Sequence, residues 1–211
     1  MEDTRAAPGA ARRRAGRALD GPGCLLLDGG LASELERAGH DLNDPLWSAR
    51  VLLEDPGAVE AVHRAFLEAG ADCITTATYQ ATFQGLAARG VTAAEAERLL
   101  LGAVELAVRA RDRFRAESTR PRPLVAASIG PYGAYLADGS EYRGDYGLGR
   151  AALADFHRRR WEVLARSGAD VLLCETIPTL VEARALAALA REGAGPPVWF
   201  SFTCLDEGRL S

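Results

Sequence analysis

Lysine is absent from this chain of 211 residues, and all 25 basic residues are arginine. The absence excludes a Schiff-base lysine and the lysine of a phosphate-binding P-loop. The four cysteines are scattered without a CxxC pair, which indicates neither a disulfide framework nor a zinc ribbon and favours a reducing cytoplasm. No apolar run is long enough to span a bilayer, and the net charge of -4 gives no indication of nucleic-acid binding.

The first 23 residues differ in composition from the rest of the chain. They are rich in alanine, glycine and arginine, and we expect them to form a disordered leader. A transit peptide is the alternative, although Glu2 and Asp3 argue against it. Residues 24–211 are long enough for one domain with a sizeable core, and the hydrophobic content of the whole chain, 48%, is ordinary for a soluble globular protein.

Five short apolar runs each finish in polar or glycine residues, and an apolar helix pattern separates each run from the next. This rhythm is typical of buried parallel strands whose carboxyl ends converge on one site. The runs cover residues 24–27, 73–76, 124–127, 171–174 and 198–200, and their polar ends begin at Asp28, Ala77, Ser128, Glu175 and Ser201.

Helix signals between these runs are clear. Asp55-Pro56 predicts a helix start, and Gly70 predicts its end. Thr92 with Glu95 and Thr179 with Glu182 have the spacing of capping boxes. A further helix is expected over residues 149–167. The segments 69–72 and 167–170 have the same pattern of helix end, tight turn and strand start, which indicates one αβ joint used twice.

Repeated βα units can form an open doubly wound sheet or close as a (β/α)8 barrel. Polar residues at every strand end favour the barrel, where all strand ends face one central site. The segment Asp28-Gly29-Gly30 lacks the GxGxxG spacing of dinucleotide-binding folds, and its aspartate would repel a pyrophosphate. We therefore predict an α/β fold of the (β/α)8 TIM-barrel type.

The motifs at the strand ends resemble those of the homocysteine S-methyltransferase family, and most closely its S-methylmethionine-dependent type. The resemblance runs from about Cys24 to the end of the chain and is specific because the motifs occur together and in order. They are LDGGLASELE at 27–36, WS at 47–48, TTATYQAT at 75–82, SIGPYG at 128–133, CETIP at 174–178 and SF at 201–202.

The resemblance implies a barrel that transfers a methyl group from a sulfonium donor such as S-methylmethionine to the thiol of homocysteine, giving methionine. It implies that Asp28, the Gly29 backbone and Glu175 hold the amino-acid group of the substrate, with Gly30, Thr78 and Ser128 at the same mouth. A carboxylate at a strand end can pair with an ammonium group, and a glycine allows close approach of a backbone N–H.

The resemblance also implies a zinc ion held by three cysteines, one after the sixth strand and an adjacent pair at the eighth. This chain stops at Ser211, after about its fifth strand, so we expect those ligands to be absent and the chain to be the amino-terminal part of such an enzyme. The alternative is a catalytically inactive fragment or isoform. The unpaired edges of an open barrel would favour self-association.

Other interpretations of single residues stay open at this point. Asp28 could simply cap the helix that begins after Gly30, and Thr76 and Thr78 could serve only in strand packing. Glu175 could be the general base of an unrelated barrel lyase or aldolase. His63 is expected on a helix face without a role, and the arginines at 158–160 are expected to form a solvated helix face.

Overall fold

The computed structural model describes residues 24–40, 51–52, 54–206 and 209–210. The predicted leader and the Trp47-Ser48 motif lie outside these residues. The described helices, in chain order, are α1 (Leu31–Arg37), α2 (Pro56–Ala69), α3 (Phe83–Ala87), α4 (Ala93–Glu117), α5 (Tyr132–Leu136), α6 (Arg150–Ala165) and α7 (Leu180–Glu192). The strands are β1 (Cys73–Thr75), β2 (Leu124–Ile129), β3 (Val171–Ile177), β4 (Val198–Phe202), β5 (Cys204–Asp206) and β6 (Arg209–Leu210).

Strands β1 to β4 form one parallel sheet in sequential order. Cys73 lies opposite Leu124, Ala126 opposite Val171, and Leu173 opposite Trp199. Helices connect successive strands, as parallel βα units require. The α/β fold of TIM-barrel type is confirmed, and the barrel is unclosed over the described residues. A short antiparallel pair, β5 with β6, follows β4 and was not predicted.

The predicted first strand at residues 24–27 is wrong as a full strand. Only Leu27 bridges to Cys73, in the parallel sense, and the Asp28 N–H donates to the Cys73 carbonyl at 3.0 Å. Leu26 and Leu27 are 54% and 45% exposed, so little apolar burial holds this segment in a longer ladder. The bridge nevertheless places Asp28 beside the carboxyl end of β1.

The repeated αβ joint is present in both copies. Gly70 and Gly168 end their helices with φ of 117° and 89°, a backbone conformation that glycine adopts without a steric penalty. The aspartate two residues later then accepts a hydrogen bond from the preceding strand segment: Asp72 from the Leu26 N–H and Asp170 from the Val125 N–H, both at 3.1 Å. Each joint therefore fixes a new strand against its predecessor.

Local capping signals set the helix starts. The Asp55 carboxylate accepts from the Ala58 N–H at 3.1 Å, with Pro56 at the first helical position. Thr92 and Glu95 form the complete predicted capping box. Thr179 accepts from the Glu182 N–H at 3.3 Å, but the Glu182 side chain turns elsewhere, so the second box forms only by half.

The two faces of the sheet bury different residues. One face packs against the helices through Ile74, Val125, Ala127 and Leu172, while the opposite, inner face carries the cluster Cys73, Leu124, Ala126, Val171 and Leu173. Side chains alternate along a strand, so the inner face continues to Thr75, Ser128, Glu175 and Ser201 at the carboxyl ends. None of the described helices is long and apolar enough to cross a membrane.

Candidate functional site

Asp28 is anchored at the carboxyl end of β1 by Thr75. The Thr75 N–H donates to Oδ2 at 2.7 Å, and the Thr75 hydroxyl lies 3.1 Å from both carboxylate oxygens. Burial raises the pKa of Asp28 to about 6, against the opposing effect of the Thr75 hydrogen bonds and with a smaller contribution from the charge of Glu175. Helix α1 has Gly30 at its N-cap with no side-chain cap, so the capping alternative for Asp28 is wrong.

Glu175 lies in β3 on the same face and within electrostatic reach of Asp28. Its Oε1 accepts a hydrogen bond from the hydroxyl of Ser128, which is buried near the end of β2. Burial raises the pKa of Glu175, and the Ser128 hydrogen bond opposes that rise. In the described part of the chain Asp28 is hydrogen-bonded by Thr75 and Glu175 by Ser128, and neither carboxylate forms an ion pair with an arginine or histidine.

Thr78 and Thr76 connect the first two strand ends. The Thr78 hydroxyl donates to the Ser128 carbonyl at 2.7 Å and lies 2.7 Å from the Thr76 hydroxyl, which accepts from the Ser128 N–H at 3.1 Å. Both threonines are buried. They fix the backbone of Ser128, and a direct contact of Thr78 with substrate stays a prediction.

Gly29 and Gly30 are exposed beside Asp28. A Cβ at Gly29 would come within 3.0 Å of the Phe66 ring, so the loop lies directly on helix α2. Both glycines follow Asp28 directly in the chain, and their backbone contact with substrate stays a prediction.

Sequence reasoning missed Tyr79 as a site residue. This half-buried side chain follows β1. Burial raises the pKa of its phenol, and the charges of Glu175 and Glu141 raise it further. A hydrogen bond with the Thr176 side chain opposes this rise. A Cβ at Gly130 would lie 2.6 Å from the Tyr79 carbonyl, so only glycine permits this approach. The aromatic residue directly after a polar strand end was the available signal.

The prediction that residues 158–160 form a solvated face is wrong for Arg160. Its guanidinium is buried and donates to the Tyr79 carbonyl at 3.1 Å and to the Gly130 carbonyl at 2.7 Å. It therefore holds together the loops that follow β1 and β2. Burial lowers the pKa of Arg160 to about 10, which still leaves it cationic at neutral pH.

Arg160 is connected to helix α7 through His157. The His157 Nδ1 lies 2.9 Å from Arg160 Nη2, and Nε2 lies 2.8 Å from Glu182 Oε1. Because a carboxylate only accepts, Nε2 carries the proton and Nδ1 accepts from arginine. Glu182 also accepts from the Tyr132 N–H at 2.6 Å and the Tyr146 hydroxyl at 2.9 Å. We call Arg160, His157 and Glu182 the buried triad.

The described residues do not fit the zinc site that the resemblance implies. Cys73 and Cys174 are buried, and burial raises the pKa of both thiols, which disfavours the thiolate that binds zinc. Cys24 and Cys204 are exposed. No group of three His, Cys, Asp or Glu side chains within the described ranges could hold a metal ion.

Comparison with known proteins identifies relatives over nearly the whole chain. The family profile of homocysteine S-methyltransferases matches residues 25–211. Homocysteine S-methyltransferase YbgG of Bacillus subtilis is 52% identical over 197 residues, which cover 92% of this chain and 62% of the relative. Selenocysteine Se-methyltransferase of Brassica oleracea is 52% identical over 196 residues, which cover 87% of this chain and 57% of the relative.

The same relationship holds in three dimensions. The metallated form of the homocysteine methyltransferase MmuM from Escherichia coli superimposes with a TM-score of 0.87 at 50% identity, over 91% of this chain and 67% of that one. The chain thus spans 62% or less of the length of the two curated relatives named above. A profile match over residues 25–211 and a shared fold place the chain in the homocysteine S-methyltransferase family.

Proposed function

We propose that this chain binds the amino-acid end of homocysteine and belongs to an enzyme that methylates the homocysteine thiol from a sulfonium donor such as S-methylmethionine. The observation that carries the proposal is the pair of carboxylates, Asp28 and Glu175, which lie at strand ends on the same inner face, within electrostatic reach of each other and without an ion-pair partner among the described residues. An ammonium group between them supplies the missing positive charge and N–H donors.

The chain's own residues orient the acceptor. Thr75 holds the Asp28 carboxylate and Ser128 holds that of Glu175, so both are fixed before substrate arrives. In the transfer, the acceptor thiol releases its proton to solvent, its sulfur forms a bond to the methyl carbon, and the donor's carbon–sulfur bond breaks with its electron pair leaving on sulfur. S-methylmethionine and homocysteine then give two molecules of methionine.

A non-catalytic protein that binds homocysteine is the second candidate function. The described residues fit a metal site poorly, and this observation favours the second candidate. Without a metal ion, no group among these residues is assigned to lower the pKa of the homocysteine thiol. Formation of methionine by the purified chain, followed by mass spectrometry, distinguishes the two functions.

The four free cysteines support our further proposal that the protein works in the cytoplasm.

Calorimetric titration of homocysteine into the chain tests the site. Removing one partner of a buried charge pair costs about 3–5 kcal/mol, so Glu175→Ala should weaken binding by at least about 100-fold. Glu97→Ala is the matched control, because Glu97 forms an exposed ion pair with Arg166 and should leave the affinity unchanged. Equal affinity of Glu175→Ala and the unmodified chain would remove Glu175 from the site.

Binding should also depend on pH in a definite direction. Asp28 must be ionised to pair with an ammonium group, and burial raises its pKa to about 6. Affinity is therefore full well above that pH and falls as the pH drops through it, by up to about tenfold per pH unit for this group. Asp28→Asn should bind homocysteine more weakly at neutral pH and lose this part of the pH dependence.

Competition with selenocysteine tests whether the site also accepts the amino acid named for the Brassica relative.

A further inference from the structure

A second acidic position lies close to the proposed homocysteine site and has no role in it. Glu141 belongs to a short 3-10 turn, Ser140–Tyr142, and is only 6% exposed. Its Oε2 is buried and has no hydrogen-bond partner among the residues that the structure describes. A buried carboxylate oxygen without a hydrogen-bond partner costs free energy, and a bound ligand is one way to supply the missing donor.

Two more acceptors in the same neighbourhood lack partners. Gln80 Oε1 and Ser140 Oγ are buried and unpaired within the described ranges, and both side chains are at most 5% exposed. With Glu141 Oε2 they are three of the six unpaired buried side-chain atoms found in the described chain. We call these three atoms the acceptor cluster.

Helix α5 contacts all three residues that carry the acceptor cluster. The Gln80 amide Nε2 donates to the Ala134 carbonyl at 3.1 Å. A Cβ on the preceding residue, Gly133, would lie 2.2 Å from the Glu141 N and 2.5 Å from the Ser140 carbonyl carbon. Gln80 and the Ser140-Glu141 pair therefore contact adjacent residues of one helical turn, and glycine is required for that contact.

Tyr79 lies near both the acceptor cluster and the proposed homocysteine site. Burial raises the pKa of its phenol, and the charges of both Glu175 and Glu141 add to that effect, so both carboxylates lie within electrostatic reach of one ring. Gln80 is the next residue in the chain. Tyr79 is half-buried, and Tyr142, which follows Glu141 in the chain, is 57% exposed, so the turn that carries Glu141 reaches the surface of the described chain.

We propose that the acceptor cluster binds the primary ammonium group of the methyl donor, an amino-acid sulfonium. The match is chemical: an ammonium group has three N–H donors and a positive charge, and the cluster offers three acceptor atoms, one of them on a carboxylate. A sulfonium or quaternary ammonium group has no N–H and would leave the acceptors unpaired. This inference rests on the proposed function and adds its second substrate, with one carboxylate site for each amino acid.

The test titrates two sulfonium compounds into the unmodified chain and into Glu141→Gln. S-methylmethionine has the ammonium group, and dimethylsulfonioacetate retains a sulfonium and a carboxylate but lacks it. Glu141→Gln should weaken S-methylmethionine binding by about 30-fold or more. It should leave dimethylsulfonioacetate and homocysteine unchanged, as should the control Glu97→Gln on the surface of α4.

Thermal melting separates a binding role from a structural one. Because Glu141 Oε2 is buried without a hydrogen-bond partner among the described residues, Glu141→Gln should melt at the same temperature as the unmodified chain or higher, whereas loss of a structural carboxylate would lower the melting temperature. Should that variant melt lower, Ser140→Ala provides the second test, with S-methylmethionine binding expected to weaken about threefold to tenfold.

The outcomes for the two proposals are distinct. Failure of the unmodified chain to bind homocysteine, with S-methylmethionine bound in a Glu141-dependent way, overturns the proposed homocysteine site and leaves the ammonium site standing. Unchanged S-methylmethionine affinity in Glu141→Gln, equal weakening of both sulfonium compounds, or no S-methylmethionine binding by the unmodified chain overturns the ammonium site.

Discussion

At the scale of single residues, burial decides the chemistry more than residue type does. His63 was expected on a helix face without a role, but it is fully buried in α2. Neither ring nitrogen has a hydrogen-bond partner among the described residues, and burial lowers its pKa to about 4. The neutral ring is therefore the form that the folded chain accommodates.

His63 should make the chain sensitive to mild acid. The pKa of His63 is lower in the folded state than its ordinary value of about 6.5, so below pH 6.5 the unfolded chain binds a proton that the folded chain does not. The resulting loss in the free energy of unfolding is absent above pH 6.5 and grows as the pH falls toward 4. At about pH 5 protonation of the unfolded chain should cost about 2 kcal/mol of stability. Urea unfolding near pH 7 and pH 5 should show a smaller acid loss in His63→Leu than in the unmodified chain. The half-buried His40 supplies the control His40→Leu, and parallel losses in all three proteins would contradict the assignment.

At the scale of helices and strands, local signals predicted the elements and missed their long-range contacts. Thr92 with Glu95 forms its capping box, whereas Glu182 contacts His157 rather than the Thr179 backbone, because a buried imidazole competes for the same carboxylate. No local pattern shows that partner, 25 residues earlier in the chain.

The sequence predicted those site residues that directly follow a predicted strand. Asp28, Ser128 and Glu175 follow apolar runs, and parallel topology brings such positions to one edge. Thr75 was missed because its contact with Asp28 depends on a single bridge between Leu27 and Cys73 rather than on a strand pattern. Arg160 was missed because its neighbouring arginines are typical of a solvated face.

Disrupting the buried triad should destabilise the chain and loosen the loops that follow β1 and β2. Glu182→Ala leaves the His157 N–H, the Tyr132 N–H and the Tyr146 hydroxyl without their acceptor, so we expect a loss of about 3–5 kcal/mol in urea unfolding. Hydrogen exchange should accelerate around Gly130 and Tyr132. Glu192→Ala, at an exposed ion pair with Arg158, is the control and should alter neither measurement. Uniform exchange changes without a focus on these loops would argue against a positioning role.

At the scale of the whole molecule, the sheet leaves apolar surface at both sides. Leu26 and Leu27, beside β1, are 54% and 45% exposed, and Phe202 at the end of β4 is 40% exposed. In the described chain β4 pairs only with β3, so its other edge presents free N–H and C=O groups. Such edges associate with further strands, and apolar side chains beside them strengthen the contact.

We therefore expect the chain to self-associate through the sheet edges at micromolar to near-millimolar concentrations. Sedimentation equilibrium should give an average mass that rises with concentration above 22.4 kDa. Phe202→Asp should lower the association, because a charge beside the β4 edge must be desolvated in an edge-to-edge contact. Leu180→Asp is the matched control: Leu180 is 52% exposed, but it begins helix α7 rather than lining a strand edge. A constant mass for the unmodified chain, or equal dissociation by both variants, would show that the exposed sheet edges do not drive association.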